Sequence, residues 1–123
     1  MAEGSQVNSL ASIFVDVPST PWIDTAPGNK TKIIYHDKQT GFLTVITKLE
    51  PGAGIPDHVH ADMEQTLVLE GSFQDHEGTC TAGNFVIRPK GSRHAPIAPN
   101  GCTMVVFFVK GSPHLLKLLG VKA

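Results

Sequence analysis

The chain has no excess of positive charge. Lysine and arginine number 10 against 11 aspartate and glutamate, for a formal charge of −1, and no basic patch stands out. That balance excludes nucleic acid as the main partner. Cysteine is scarce. Cys80 and Cys102 lie far apart and form no Cys-x-x-Cys pair, which is too little for a disulfide framework. Both are expected to be thiols in or beside strands. No apolar run reaches membrane-spanning length; the longest, Met104 to Val109, suits a buried strand. The N-terminus lacks a charged segment followed by an apolar run. The expectation is a cytoplasmic protein without a membrane partner.

Hydrophobic residues make up 41% of the 123 positions and charged ones 17%, as in a folded globular protein. The length suits one domain. Twelve glycines and nine prolines favour many short strands over long helices. The pattern predicts an N-terminal arm over 1–30, a body of strands over 31–110 and a tail over 111–123 with one or two helical turns ending at Gly120. Within the arm, Ile13 to Val17 is read as a short strand, and Trp22 as cover for core surface. Lys32 to His36, Phe42 to Leu49 and Cys102 to Val109 read as strands. Asp37 to Gly41, Glu70-Gly71, Glu77-Gly78 and Pro89 to Gly91 read as turns.

The stretch from Gly52 to Gly71 carries the chemistry. His58 and His60 are two residues apart, so on a strand both imidazoles face one space. Glu64 follows four residues later. Neutral imidazole is the commonest protein ligand for metals, so this is a candidate metal site. If Glu64 faces the same space, so do Thr66 and Val68, while Leu67 and Leu69 face the other way. Leucines exposed in a row need cover, from the arm or a second copy, and a homodimer is expected.

Spacing extends the pattern. Gly52, His58, His60, Glu64 and Gly71 fit G-x5-H-x-H-x3-E-x6-G. Gly83, Pro89, Gly91 and His94 fit G-x5-P-x-G-x2-H-x3-N, with Ala98 in the Asn position. The two stretches resemble the cupin superfamily. The wording Pro-Gly-x-Gly-x-Pro-x-His-x-His, the run Leu-Val-Leu-Glu-Gly-Ser-Phe and Gly-Ser-x-His-x-Pro resemble its ChrR-like group. The resemblance implies an all-β, single-domain jelly-roll barrel of short antiparallel strands. It also implies that His58, His60, Glu64 and His94 converge on one divalent metal. Such N/O ligands suit Fe(II), Zn, Mn, Ni or Cu.

The ChrR-like group includes small dioxygenases of diketones or hydroxylated aryl ketones, and the C-terminal domain of a zinc-binding anti-sigma factor. A dioxygenase-type enzyme acting on a small molecule is therefore expected, with Glu64 and His94 as catalytic groups. The alternatives are a metal-loaded sensor without catalysis and a non-oxidative isomerase or lyase. This chain has no room for the helical domain of such an anti-sigma factor, so it would correspond to the sensor half alone. Arg88 and Gln74 are read as surface residues, His36 and His76 as solvated, and Phe73, Phe85 and Phe107 as core.

Overall fold

In the computed structural model, residues 10–121 are described; residues 1–9 of the expected arm and 122–123 of the tail lie outside them. Ten elements follow in order: β1 (Ile23–Ala26), β2 (Asn29–His36), β3 (Leu43–Leu49), β4 (His58–Val59), β5 (Glu64–Asp75), β6 (Gly78–Thr81), β7 (Phe85–Arg88), β8 (Arg93–His94), β9 (Cys102–Phe108) and α1 (Pro113–Leu118). The fold is the expected all-β, single-domain jelly roll. The larger sheet runs β1-β2-β3-β9-β5-β6, with β7 on the free side of β5, and β4 pairs with β8 in a second, small sheet. All pairings are antiparallel.

The inner face follows strand parity. Leu43, Val45, Thr47 and Leu49 of β3 are buried, and β9 sets Val106, Met104 and Cys102 directly opposite the last three. Each fully buried Leu or Val contributes roughly 1.5–3 kcal/mol over exposure. The outer face of β3 is only partly covered: Thr44 and Ile46 are half-buried and Lys48 is exposed.

Two sequence readings need correction on strand layout. Glu70-Gly71 is not a turn. β5 runs unbroken for 12 residues, with a bulge between Val68 and Glu70. Gly71 has φ of 75°, and a Cβ there would come within 2.0 Å of the Gly101 carbonyl oxygen, so glycine lets the strand bend without ending. The first part of β5 pairs with β9 and β7, the last part with β6. Its two ends therefore serve different walls of the molecule. Nor is Ile13 to Val17 a strand; it has no ladder partner, and Ile13 and Phe14 are 71% and 95% exposed.

The N-terminal region is otherwise more regular than expected. β1 and the first residues of β2 form a hairpin before residue 31, turning at Pro27-Gly28. Trp22 covers the outer side of β2. The Lys30 and Lys32 ammonium groups lie 5.0 and 4.7 Å from its ring, and Lys32 also donates to the Val17 carbonyl at 2.8 Å. The Leu115 amide donates to the Ser112 hydroxyl that caps α1, Pro113 opens the helix and Gly120 follows it at φ of 74°. Among the described residues no helix is long and apolar enough to cross a membrane.

Candidate metal centre

Two very short strands place the histidines. β4 and β8 pair so that His58 stands opposite His94, and Val59 opposite Arg93. The turn before β8 forms as expected: the Ser92 amide donates to the Pro89 carbonyl at 3.1 Å, and Gly91 takes φ of 89°. That turn is also tied to the first motif. The His60 amide donates to the Ser92 carbonyl, and the Gly91 amide to the His60 carbonyl, both at 2.9 Å. On the outside, Arg93 and Asp57 pair at 2.8 Å across the small sheet.

The three imidazoles then pack together, with ring centroids 4.6 to 5.0 Å apart. Each Nδ1 is spent on an acceptor. His58 Nδ1 donates to the Pro56 carbonyl at 2.8 Å, His60 Nδ1 to the Ser92 carbonyl at 2.9 Å, and His94 Nδ1 to Asp75 Oδ2 at 2.8 Å. The Ser92 hydroxyl gives its own hydrogen to the Pro89 carbonyl at 2.7 Å, so it too accepts from His60 Nδ1, at 3.0 Å. With the proton fixed on Nδ1, each Nε2 carries a lone pair.

Those lone pairs converge. His58 Nε2 and His94 Nε2 are 3.1 Å apart, and the buried His60 Nε2 has no hydrogen-bond partner. Candidate ligand atoms of all three lie within 4.8 Å of one another. Two acceptors cannot satisfy each other at 3.1 Å, but ligand nitrogens at about 2.0–2.1 Å from one metal are spaced at about this distance. The residues present therefore fit a divalent cation.

Burial favours the neutral, ligating form of His60 and His94. Burial pushes His94 down to about 4, against the opposing pull of its bond to Asp75, with Arg88, His58 and His60 adding to the fall. Burial also lowers His60, against its bond to the Ser92 carbonyl. Asp75 is itself buried, which works against its charge. The hydrogen bond from His94, the Glu77 amide and the Arg88 guanidinium outweigh that and hold the carboxyl below its usual range. Arg88 contacts the same Asp75 oxygen at 2.6 Å and Glu77 at 3.2 Å.

Glu64 lies beside the cluster, with Oε1 3.6 Å from His60 Nε2. Burial pushes its carboxyl up to about 7, partly opposed by the charge of Arg88. The contact is accordingly no ion pair near neutrality, because His60 is neutral and Glu64 is substantially protonated. His58, His60 and Glu64 share a wall of a cavity of about 760 Å³. Leu49, Phe73, Met104, Val106 and Phe108 give it an apolar lining, and Leu115 and Leu118 of α1 reach it from the tail.

The structure gathers His58, His60 and His94, the last delivered by its turn, and sets Glu64 beside His60. It corrects two minor readings. Arg88 is not a surface side chain; it is 6% exposed and pairs behind His94. Phe85 is not core, being 48% exposed on an edge strand, and Phe107 is only half-buried. Phe73 is buried as expected, edge-on to His94 at 6.2 Å. Asp75 and Ser92, which orient the ligands, were missed. Parity held a signal for one of them: Asp75 shares a face with Phe73.

The fold and the convergent histidines define a cupin. Residues 10–112 match the family described as ChrR cupin-like domain, and the chain belongs to that family. Its sequence is 34% identical over 62 residues to the anti-sigma-E factor ChrR of Cereibacter sphaeroides, matching 50% of this chain. The match spans only 29% of that relative's length. The structure of Rhodobacter sphaeroides SigE in complex with the anti-sigma ChrR superposes with a TM-score of 0.67 and 24% identity over 75% of this chain and 50% of that one. An acetylacetone dioxygenase from Acinetobacter johnsonii gives a TM-score of 0.74 and 16% identity over 80% of this chain and 74% of that one. At these identities the two structures establish the shared fold alone.

Proposed function

We propose that the chain is a small divalent-metal enzyme of dioxygenase type, acting on a (di)ketone-like or aromatic molecule. The observation that carries this reading is the convergence of three Nε2 lone pairs at a large, mainly apolar cavity whose wall includes His58 and His60. His58, His60 and His94 would hold the metal, with Glu64 beside them either as a fourth ligand or, left unbound, as a nearby base. Fe(II), Zn, Mn or Ni suits this donor set. When bound, the metal supplies Lewis acidity and, as iron, activation of oxygen.

The protein's own groups do the rest. The apolar walls bind the body of the ligand and exclude water. Asp75 holds the His94 ring in one tautomer. As an unbound base, Glu64 would take and return the proton of an acidic C–H between two carbonyls. The direct test is oxygen uptake by iron-loaded protein across a panel of β-diketones. Uptake that depends on the diketone is expected; none with any of them would sink the enzymatic reading.

A second reading has one specific observation in its favour: the curated sequence relative is an anti-sigma factor. In that reading the metal-loaded cavity binds a small ligand without turnover and passes the state to a partner protein. Diketone binding without oxygen uptake is its signature.

We further propose a homodimer. Leu69, Phe85 and Ile87 on β5 and β7 are 46%, 48% and 55% exposed, and the arm leaves Phe14 bare. A second copy would cover these groups. Sedimentation as a clean monomer at micromolar concentration would contradict this.

A further inference from the structure

The cavity has a second polar feature, on strands other than those that carry the histidines. Asn29 and Thr31 of β2 and Thr47 of β3 all line it, at 7%, 1% and 8% exposure. Thr31 and Thr47 are paired in register, and Asn29, which opens β2, precedes Thr31 on the same face. In the sheet, β2 and β3 are separated from β5, which carries Glu64, by β9. The rest of this side of the cavity is apolar: Leu49, Met104 and Val106.

These three side chains are not internally satisfied. Asn29 Nδ2 donates to the Gly54 carbonyl at 3.0 Å, which fixes the amide so that Oδ1 is the free end. That Oδ1 is buried and has no partner. The Thr31 and Thr47 hydroxyls lie 3.1 Å apart and bond to each other. One hydroxyl hydrogen is spent between them, and the other has no acceptor among their hydrogen bonds. The ledge thus lacks a donor for Asn29 and offers a donor from the threonine pair. Buried polar groups left in this state are costly and mark a place for a ligand or water atom.

We propose that Asn29, Thr31 and Thr47 form a subsite for a neutral hydroxyl group. A hydroxyl both donates and accepts, and so completes both ends of the ledge at once. No cation belongs to the ledge, so a carboxylate or phosphate is not matched there. The ligand class is a small, mainly apolar molecule that carries an alcohol or phenol hydroxyl apart from the group it turns to the histidines. This inference rests on the cavity being the ligand site of the proposed function. Thr31 and Thr47 are here specificity-determining residues, and Asn29 orients the hydroxyl.

The test is calorimetric, on zinc-loaded protein, with 1-phenylbutane-1,3-dione and its 4-hydroxyphenyl analogue. The hydroxylated probe is expected to bind about tenfold more tightly, the effect of one well-made hydrogen-bonded pair. In Thr31→Val and in Asn29→Leu that preference should fall to within about twofold, with the plain phenyl probe little changed. Thr31→Val preserves shape, so it keeps the test available should Asn29→Leu fail to fold. Equal affinity for the two probes in the wild-type protein, or a preference that survives both substitutions, overturns the subsite and leaves the metal reading standing. If neither diketone binds, the diketone reading of the cavity fails, and 4-methylphenol against toluene on metal-free protein decides the ledge alone. A preference for the phenol upholds it; no preference overturns it.

Discussion

His94 Nδ1 donates to Asp75 Oδ2 at 2.8 Å, and Arg88 closes on the same carboxylate oxygen at 2.6 Å. The two residues come from different walls: His94 from the two-residue strand β8, Asp75 from the far end of β5. The Asp75 side chain is 1% exposed and that of Arg88 8%. The carboxylate therefore serves two purposes at once. It aims an imidazole, and it neutralises a buried cation.

Asp75→Ala should damage both. Metal affinity is expected to fall roughly 10–100-fold, as when other groups that orient metal-ligating histidines are removed. Stability should fall by roughly 3–5 kcal/mol, because Arg88 is left buried with only the exposed Glu77 beside it. Glu77→Ala, at a side chain 58% exposed, should cost less than about 1 kcal/mol. Denaturant melts and competitive metal titrations read both effects. Equal metal affinity in Asp75→Ala and wild type would remove Asp75 from the site.

Glu64 makes a prediction in pH. Its folded value is raised to about 7 by burial, above the ordinary value near 4.3. A carboxyl raised in this way favours the fold while protonated. The contribution is complete below the unfolded value and is lost as pH rises through about 7. Its size is on the order of 3 kcal/mol. His94, lowered to about 4, acts in the opposite sense over part of this range, so only the difference from a variant is diagnostic. Metal-free Glu64→Gln should gain stability over wild type between about pH 5 and 8. Below about pH 7 the wild type should also release one more proton on binding metal than the variant does. Parallel stability curves for the two proteins would contradict the assignment.

Legibility in the sequence followed range of interaction. His58, His60 and Glu64 were readable because strand parity and fixed spacing act within one stretch. His94 was readable because Pro89 and Gly91 specify a turn that returns the chain. The preference for short strands and the short tail helix came from glycine, proline and the Ser112-Pro113 start. What was misread depended on distant partners. Glu70-Gly71 has the local chemistry of a turn, but Gly71 packs against Gly101 and the strand continues. Arg88 looks exposed beside a proline until Asp75 and Glu77 are brought to it. The polar ledge was half visible: Thr47 stands among three apolar residues of one parity, but its partners Thr31 and Asn29 come from another strand.

The cysteines should be quiet. Both are free and buried. Burial pushes the Cys102 thiol up to about 11, with the nearby Cys80 adding to the rise, and burial also raises Cys80. Since the thiolate is the reactive form, Cys102 in the folded protein should react with a disulfide reagent at pH 8 about two orders of magnitude more slowly than in the unfolded chain. Equal rates by stopped-flow absorbance would show that the thiol is not buried in solution.

The metal content of purified protein tests the central claim most directly. After anaerobic purification and reconstitution with zinc or iron, elemental analysis should find about one metal ion per chain, the capacity of one three-histidine site. In the folded double variant His58→Ala/His60→Ala the content should fall to background. Undiminished metal in that variant would contradict the convergence of these imidazoles on a single cation.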